Sequence, residues 1–226
     1  MTGSGQMIRH LCVLSWLERH RWWQPAGFML LGATLLHFAL QLAPKAMAIE
    51  LLPALFWLLA LLASILSAEH WLLSDVKTGV YVQIDLSPFP SWWYWVLKIA
   101  LTTIIQGTLL LVSMLLLCVL SEVPATQTQV LLATLCFGVP ALMAIACMGA
   151  GLTMAAVGGQ LLLSFIVLPL YLPVLLLATG CLQLASQDLS IAAPMSALLA
   201  FGVLMFGIAP FMMTYLLKYS ISAGEP

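Results

Sequence analysis

Glu69-His-Trp-Leu-Leu-Ser-Asp75-Val-Lys77-Thr-Gly79-Val-Tyr-Val-Gln83-Ile-Asp85-Leu-Ser87-Pro88-Phe-Pro90 is a polar island in a chain that is otherwise lipid-soluble. It is too polar to cross a bilayer as a helix. It is also too long and too patterned for a simple connector. Leu72, Val76, Val80 and Ile84 recur every fourth residue and share one helical face, with Leu73 and Tyr81 beside them. Asp75, Lys77, Thr78 and Gln83 point elsewhere. Gly79 interrupts the stretch, and Ser87-Pro88-Phe-Pro90 ends it, because prolines punctuate strongly. The expected geometry is helix, break, helix, lying on a membrane surface. From the pattern alone two roles stay open, an anchor at the interface and a docking element for another protein.

Everything around this island is apolar. Hydrophobic residues make up 63% of the chain and charged residues 7%, against roughly 25% charged in a soluble domain. Such a chain cannot coat a water-facing surface, so it is an integral membrane protein. The net charge of −1 is uninformative, but the sequence has no basic patch or charge run to suit a nucleic-acid partner. A single transmembrane domain covers residues 1–226.

A helix needs about 20 largely apolar residues to cross the hydrocarbon core. Six segments qualify: Pro25–Leu42, Leu51–Ala68, Trp93–Leu120, Val130–Val157, Gln160–Leu182 and Met195–Leu217. Backbone amides in lipid must be paired within the segment, so these runs are helices rather than open strands. The fold expected is all-α with six transmembrane helices. Ahead of them, residues 6–24 hold an amphipathic interfacial helix. There Leu11, Leu14, Leu17 and Trp22 face lipid, while Glu18, Arg19 and Arg21 face water. Charges interrupt this region too often for a secretory signal peptide.

The cations set the orientation. Of 7 Lys and Arg residues, Arg9, Arg19, Arg21, Lys77, Lys98 and Lys218 fall on one side, and only Lys45 on the other. The positive-inside rule then places both termini and Glu69–Pro90 in the cytoplasm. In a bacterial inner membrane, the turns near Lys45–Glu50, Glu122 and Asp188 face the periplasm. Trp22 and Trp23, then Trp92, Trp93 and Trp95, read as interfacial belts at span ends. The competing reading of a Trp cluster is a stacking surface for a porphyrin.

Spans four and five carry helix breakers. Gly138 and Pro140 lie in the fourth, Pro169 and Pro173 in the fifth, and Gly158-Gly159 joins the two in a tight hairpin. These positions serve either as packing features or as pivots of a moving helix. Cys118, Cys136, Cys147 and Cys181 sit in apolar spans, and Cys12 precedes them. No spacing fits a metal site, and all read as small buried hydrophobes. Cys118 and Cys181 fall near one membrane face, but nothing in the sequence supports a disulfide between them. His37 is the one histidine inside a span. It is a candidate heme ligand on general grounds, against the plainer reading of a hydrogen bond between helices. His10, His20 and His70 lie at the surface.

Glu69, Asp75, Gly79, Gln83, Ser87-Pro88-Phe-Pro90 and Lys98 together resemble the segment after the second span of six-helix (ABC-2-type) permeases of ABC exporters. In particular they resemble the heme exporter B family, the permease subunit of system I cytochrome c maturation. That family typically shows a Leu-Glu-Arg start, a run of acidic residues, Gly-Ser-Leu-Glu-Gln and Ser-Pro-Leu-Pro. Gly138-Val-Pro140, Gly149-Ala-Gly151-Leu-Thr153 and Gly158–Pro173 look like its spans four and five. The resemblance runs from about Glu18 to Ile221. This chain looks like a divergent member. Val82 stands where the family has Glu, Ser74 where it has Asp, and the turn Ala155-Ala-Val157-Gly-Gly lacks the usual basic residues.

The resemblance implies a division of labour. A separate cytoplasmic ABC ATPase hydrolyses ATP. Glu69, Asp75, Lys77, Gly79, Gln83, Ser87, Pro88 and Pro90 form the element that couples to it. A Trp-rich heme-handling membrane subunit, a small single-span subunit and a heme chaperone complete the implied set, with heme as handled cargo and lipid around the chain. The chain itself has no Gly-x-x-x-x-Gly-Lys-Ser/Thr loop for ATP and no nucleophile–base set for catalysis. One competing reading is an ABC permease for another lipid-like or drug substrate, which neighbouring genes would separate. The other is a scaffold or heme-handling protein that works without an ATPase. Glu69 and Glu122 lie at span ends, which argues against an ion-coupled carrier.

Overall fold

Apolar runs pair their own amides as helices, and six helices make up the described part of the chain. The computed structural model describes residues 23–42, 44–77, 90–155 and 160–222. In order they are α1 (Trp23–Gln41), α2 (Lys45–Lys77), α3 (Ser91–Leu120), α4 (Ala125–Ala155), α5 (Gln160–Ser186) and α6 (Ala192–Ser222). The expected interfacial helix within residues 6–24 lies outside the described residues, apart from the first turn of α1.

Four helices are long and apolar enough to cross a membrane: Ser91–Leu120, Ala125–Leu152, Val167–Ser186 and Ala192–Leu216. Gly27–Gln41 and Leu51–Ser67 are shorter apolar stretches among the described residues. The second belongs to a helix of 33 residues. At about 1.5 Å per residue α2 is about 50 Å long, well beyond a hydrocarbon core of about 30 Å. The sequence separates a span ending at Ala68 from a polar segment beginning at Glu69. The structure joins them, and α2 runs unbroken to Lys77.

Short turns between α1 and α2, α3 and α4, and α5 and α6 make these neighbours antiparallel. Trp92 at the start of α3 stacks on Phe211 near the end of α6, with ring centroids 5.9 Å apart. Lys98 and Lys218 therefore lie towards one end of the bundle and Lys45 at the other.

α4 forms the centre. Every residue from Ala141 to Ala150 is buried, as expected of a helix apolar on all sides. Its small residues admit close neighbours, the usual basis of helix packing in membranes. At Gly151, a Cβ would lie 2.6 Å from Met213 Sδ of α6. At Gly138, a Cβ would run into the indole ring of Trp57 from α2. Trp57 is 1% exposed, so this ring fills the space that the glycine leaves.

The interfacial Trp reading needs one correction. Trp92 and Trp93 are 37% and 41% exposed, but Trp95 is buried, edge-on to buried Tyr94. Trp95 shares a face with Lys98, Ile99, Thr102 and Gln106, and that face of α3 points into the bundle.

Candidate functional site

The coupling residues divide by where they fall. Glu69, Asp75 and Lys77 have their backbone in the last turns of α2. Pro90 is the N-cap of α3, with extended backbone (φ −66°, ψ 127°). Gly79, Gln83, Ser87 and Pro88 lie outside the described residues. α2 thus brings three of the eight onto one rigid element that begins at the opposite end of the bundle.

Inside the bundle α2 is tied to its neighbours at two levels. Trp57 packs into the Gly138 notch of α4. Ten residues on, Ser67 Oγ donates a hydrogen bond of 2.7 Å to Gln106 Oε1 on α3. Gln106 is 3% exposed, and its amide nitrogen has no hydrogen-bond partner in the structure. Lys98, Thr102 and Gln106 occur at intervals of four and are all buried. Thr102 satisfies its hydroxyl on the carbonyls of Lys98 and Ile99, both at 3.0 Å. Lys98, expected in the cytoplasmic connection, is 9% exposed on this inner face. The spacing of four could have revealed this polar stripe. The partner Ser67 could not be found that way, because the contact joins residues on different helices.

The candidate pivots are also divided. Pro140 lies inside α4, and Pro169 and Pro173 lie inside α5; each helix continues through its prolines. Gly138 is the socket for Trp57 and so has a packing reason to be glycine. Gly158 and Gly159 lie outside the described residues. Two further prolines, Pro53 in α2 and Pro210 in α6, also sit inside helices. Membrane helices tolerate such breaks where neighbouring groups pair the freed carbonyls.

His37 uses both ring nitrogens. The Gln41 side-chain amide donates to Nε2 at 2.9 Å. Nδ1 then carries the proton and faces Ser121 Oγ at 3.3 Å. The imidazole ties α1 to the α3–α4 turn. Cys118, Cys136, Cys147 and Cys181 are free thiols. Among the described residues, no group of three or more metal-ligating side chains gathers.

A comparison over nearly the whole length bears on this arrangement. Residues 10–220 match the CcmB protein family. The chain belongs to the CcmB family. It is 35% identical over 189 residues to heme exporter protein B of Pseudomonas aeruginosa, covering 83% of this chain and 84% of that one. It is 31% identical over 200 residues to the protein of the same name from Escherichia coli K12, covering 87% and 89%. For the Haemophilus influenzae protein the figures are 28% over 197 residues, 87% and 89%. The CcmB match spans both stretches that the sequence singles out, Glu69–Pro90 and Gly158–Pro173.

Proposed function

We propose that this CcmB-family chain is the membrane permease subunit of an ABC transporter complex acting in heme export and delivery for cytochrome c maturation. The observation that carries the reading is the family match over residues 10–220, with relatives named heme exporter protein B. A permease subunit of this family is not itself an enzyme. ATP is hydrolysed by a separate cytoplasmic ATPase that docks on Glu69–Pro90. The Trp-rich heme-handling subunit and the small single-span subunit flank the permease in the same inner-membrane complex. Its cycle ends in release of the heme-loaded chaperone.

α2 supplies a physical route for the coupling. A helix is stiff along its axis, so a displacement imposed near Lys77 reaches Ser67 and Trp57 with little loss. Those two side chains contact α3 and α4. The prolines of α4 and α5, with Gly158-Gly159 between them, are where the far helices yield. Gly79 stands two positions after Lys77 in the sequence, and a glycine there would let the chain turn into the ATPase cleft. His37 could bind iron only by exchanging the Gln41 amide for the metal. Its hydrogen bonds favour a tie between α1 and the α3–α4 turn.

The test is affinity purification of the tagged chain in mild detergent, with identification of what co-elutes. An ATPase and a Trp-rich membrane protein are the expected companions. Gly79→Trp should weaken recovery of the ATPase while the permease still accumulates in the membrane. Full ATPase recovery and full cytochrome c assembly in that variant would overturn the docking assignment.

A further inference from the structure

At the end of the bundle that carries Lys98 and Lys218, α6 turns outward a face whose chemistry changes along its length. Leu204, Ile208, Phe211, Tyr215 and Lys218 follow at intervals of three or four residues and so share one side of the helix. All five are exposed, Phe211 by 62% and Tyr215 by 72%. The membrane-crossing stretch of α6 ends at Leu216. Leu204, Ile208 and Phe211 therefore lie at hydrocarbon depth, Tyr215 at its edge, and Lys218 in the headgroup layer. From Leu204 to Lys218 the face is about 21 Å long. That is close to half of a bilayer with its headgroups, about 20–22 Å.

The first turn of α3 walls this face on one side. Trp92 stacks on Phe211 with ring planes 15° apart. Trp93 stands edge-on to Trp92, with centroids at 5.4 Å. Both indoles are exposed. Indole and phenol rings join an apolar body to a polar tip, which suits the boundary between hydrocarbon and headgroups.

The charge on this face is unbalanced. Lys218 has no ion-pair partner among the described residues. The acidic side chains described, Glu122 and Asp188, stand in turns at the opposite end of the bundle. An occupant that matches the face in order has an apolar chain, then hydrogen-bond acceptors, then a negative charge. A phospholipid with an anionic headgroup has that order. A zwitterionic one brings its own cation up to Lys218, and part of the attraction cancels.

We propose that the face from Leu204 to Lys218, with Trp92 and Trp93 beside it, binds an anionic phospholipid, phosphatidylglycerol. Its phosphate accepts a charge-assisted hydrogen bond from the Lys218 ammonium. Its ester oxygens lie against the Tyr215 hydroxyl and the indoles. One acyl chain follows Phe211, Ile208 and Leu204 inward. The site needs no ATPase, and it works whichever side of the membrane this end faces.

The full-length protein, purified in mild detergent, is mixed with equal amounts of phosphatidylglycerol, phosphatidylethanolamine and phosphatidylcholine. Retained lipid is then counted by native mass spectrometry. Phosphatidylglycerol should be retained about fivefold over the other two, the effect of one basic residue at an anionic surface. Lys218→Gln should bring the three to parity, and Lys218→Arg should keep the preference. Lys45→Gln removes the same charge at the other end of the bundle and should leave the preference unchanged. Equal retention by the native chain overturns the proposal, and so does a preference that survives Lys218→Gln. A preference that Lys45→Gln abolishes also overturns it, because net charge is then the cause. It fails too if a zero-length reagent joins Lys218 to a carboxylate of a co-purifying subunit, since a protein then covers the face in place of lipid.

Discussion

Two buried contacts of α2 rest on single residues whose chemistry makes opposite predictions. Gly138 accommodates the Trp57 ring, and any added side chain must displace it. Gly138→Val should cost about 1–3 kcal/mol, the usual range for overpacking. The change is read as a lower midpoint of thermal unfolding in detergent. Trp57→Leu in the same chain should recover part of that loss, because the two sites share one volume. The Ser67–Gln106 bond behaves differently. Ser67→Ala leaves the whole Gln106 amide buried without a partner, whereas Ser67→Ala with Gln106→Leu removes both partners together. Ser67→Ala alone should therefore cost about 1–2 kcal/mol more than the double variant, which should be nearly neutral. The reverse order in unfolding measurements would show that the amide finds another partner. Neither contact was legible in the chain. Trp57 and Gly138 belong to different helices, and hydropathy treats both simply as span residues. The stripe Lys98, Thr102 and Gln106 was legible in principle from its spacing. Lys98 masks it, because a lysine this near a span end reads as a loop charge.

At the scale of the element, the apolar runs located the helices but understated their length. The sequence begins the fourth span at Val130, and α4 begins at Ala125. Thr126, Gln127, Thr128 and Gln129 lower the hydropathy of that turn without weakening its hydrogen bonds. Lys45 to Glu50 and Glu69 to Lys77 do the same at both ends of α2. Hydropathy reports the hydrocarbon layer, and a helix need not end where the hydrocarbon does. For α2 the difference matters, because a rigid extension and a hinged segment couple differently. Two alanines inserted between Ala68 and Glu69 turn the outer part by about 200°, and four turn it by about 40°. If α2 transmits force as one rod, the two-residue insertion should abolish ATP-dependent activity and ATPase recovery. The four-residue insertion should keep a substantial part of both. Equal loss in the two, with the protein still present in the membrane, would show that distance alone matters and not the phase of the helix.

For the whole molecule, the decisive asymmetry is that of its two ends. Lys77, Lys98 and Lys218 belong to one end, and the turns bearing Glu122 and Asp188 to the other. Both acidic residues close their turns with left-handed backbone, φ 53° and 56°. If the cationic end is cytoplasmic, the coupling segment meets its ATPase and the turns face outward. If it is not, the docking assignment fails whatever the family. The thiols make this testable. Cys118, Cys147 and Cys181 are buried, while Thr126, Ser190 and Lys218 are exposed near helix ends. Cys12 is first replaced by serine. A thiol reagent that cannot cross membranes should then label Thr126→Cys and Ser190→Cys from outside the inner membrane. Lys218→Cys should react only once that membrane is permeabilised. Cys136 is exposed but lies within the membrane-crossing stretch Ala125–Leu152 of α4, where the reagent has no water to reach it, so the parent chain should stay unlabelled. The opposite pattern would reverse the bundle in the membrane. It would also remove the reason for placing an ATPase at Glu69–Pro90, since ATP is a cytoplasmic fuel.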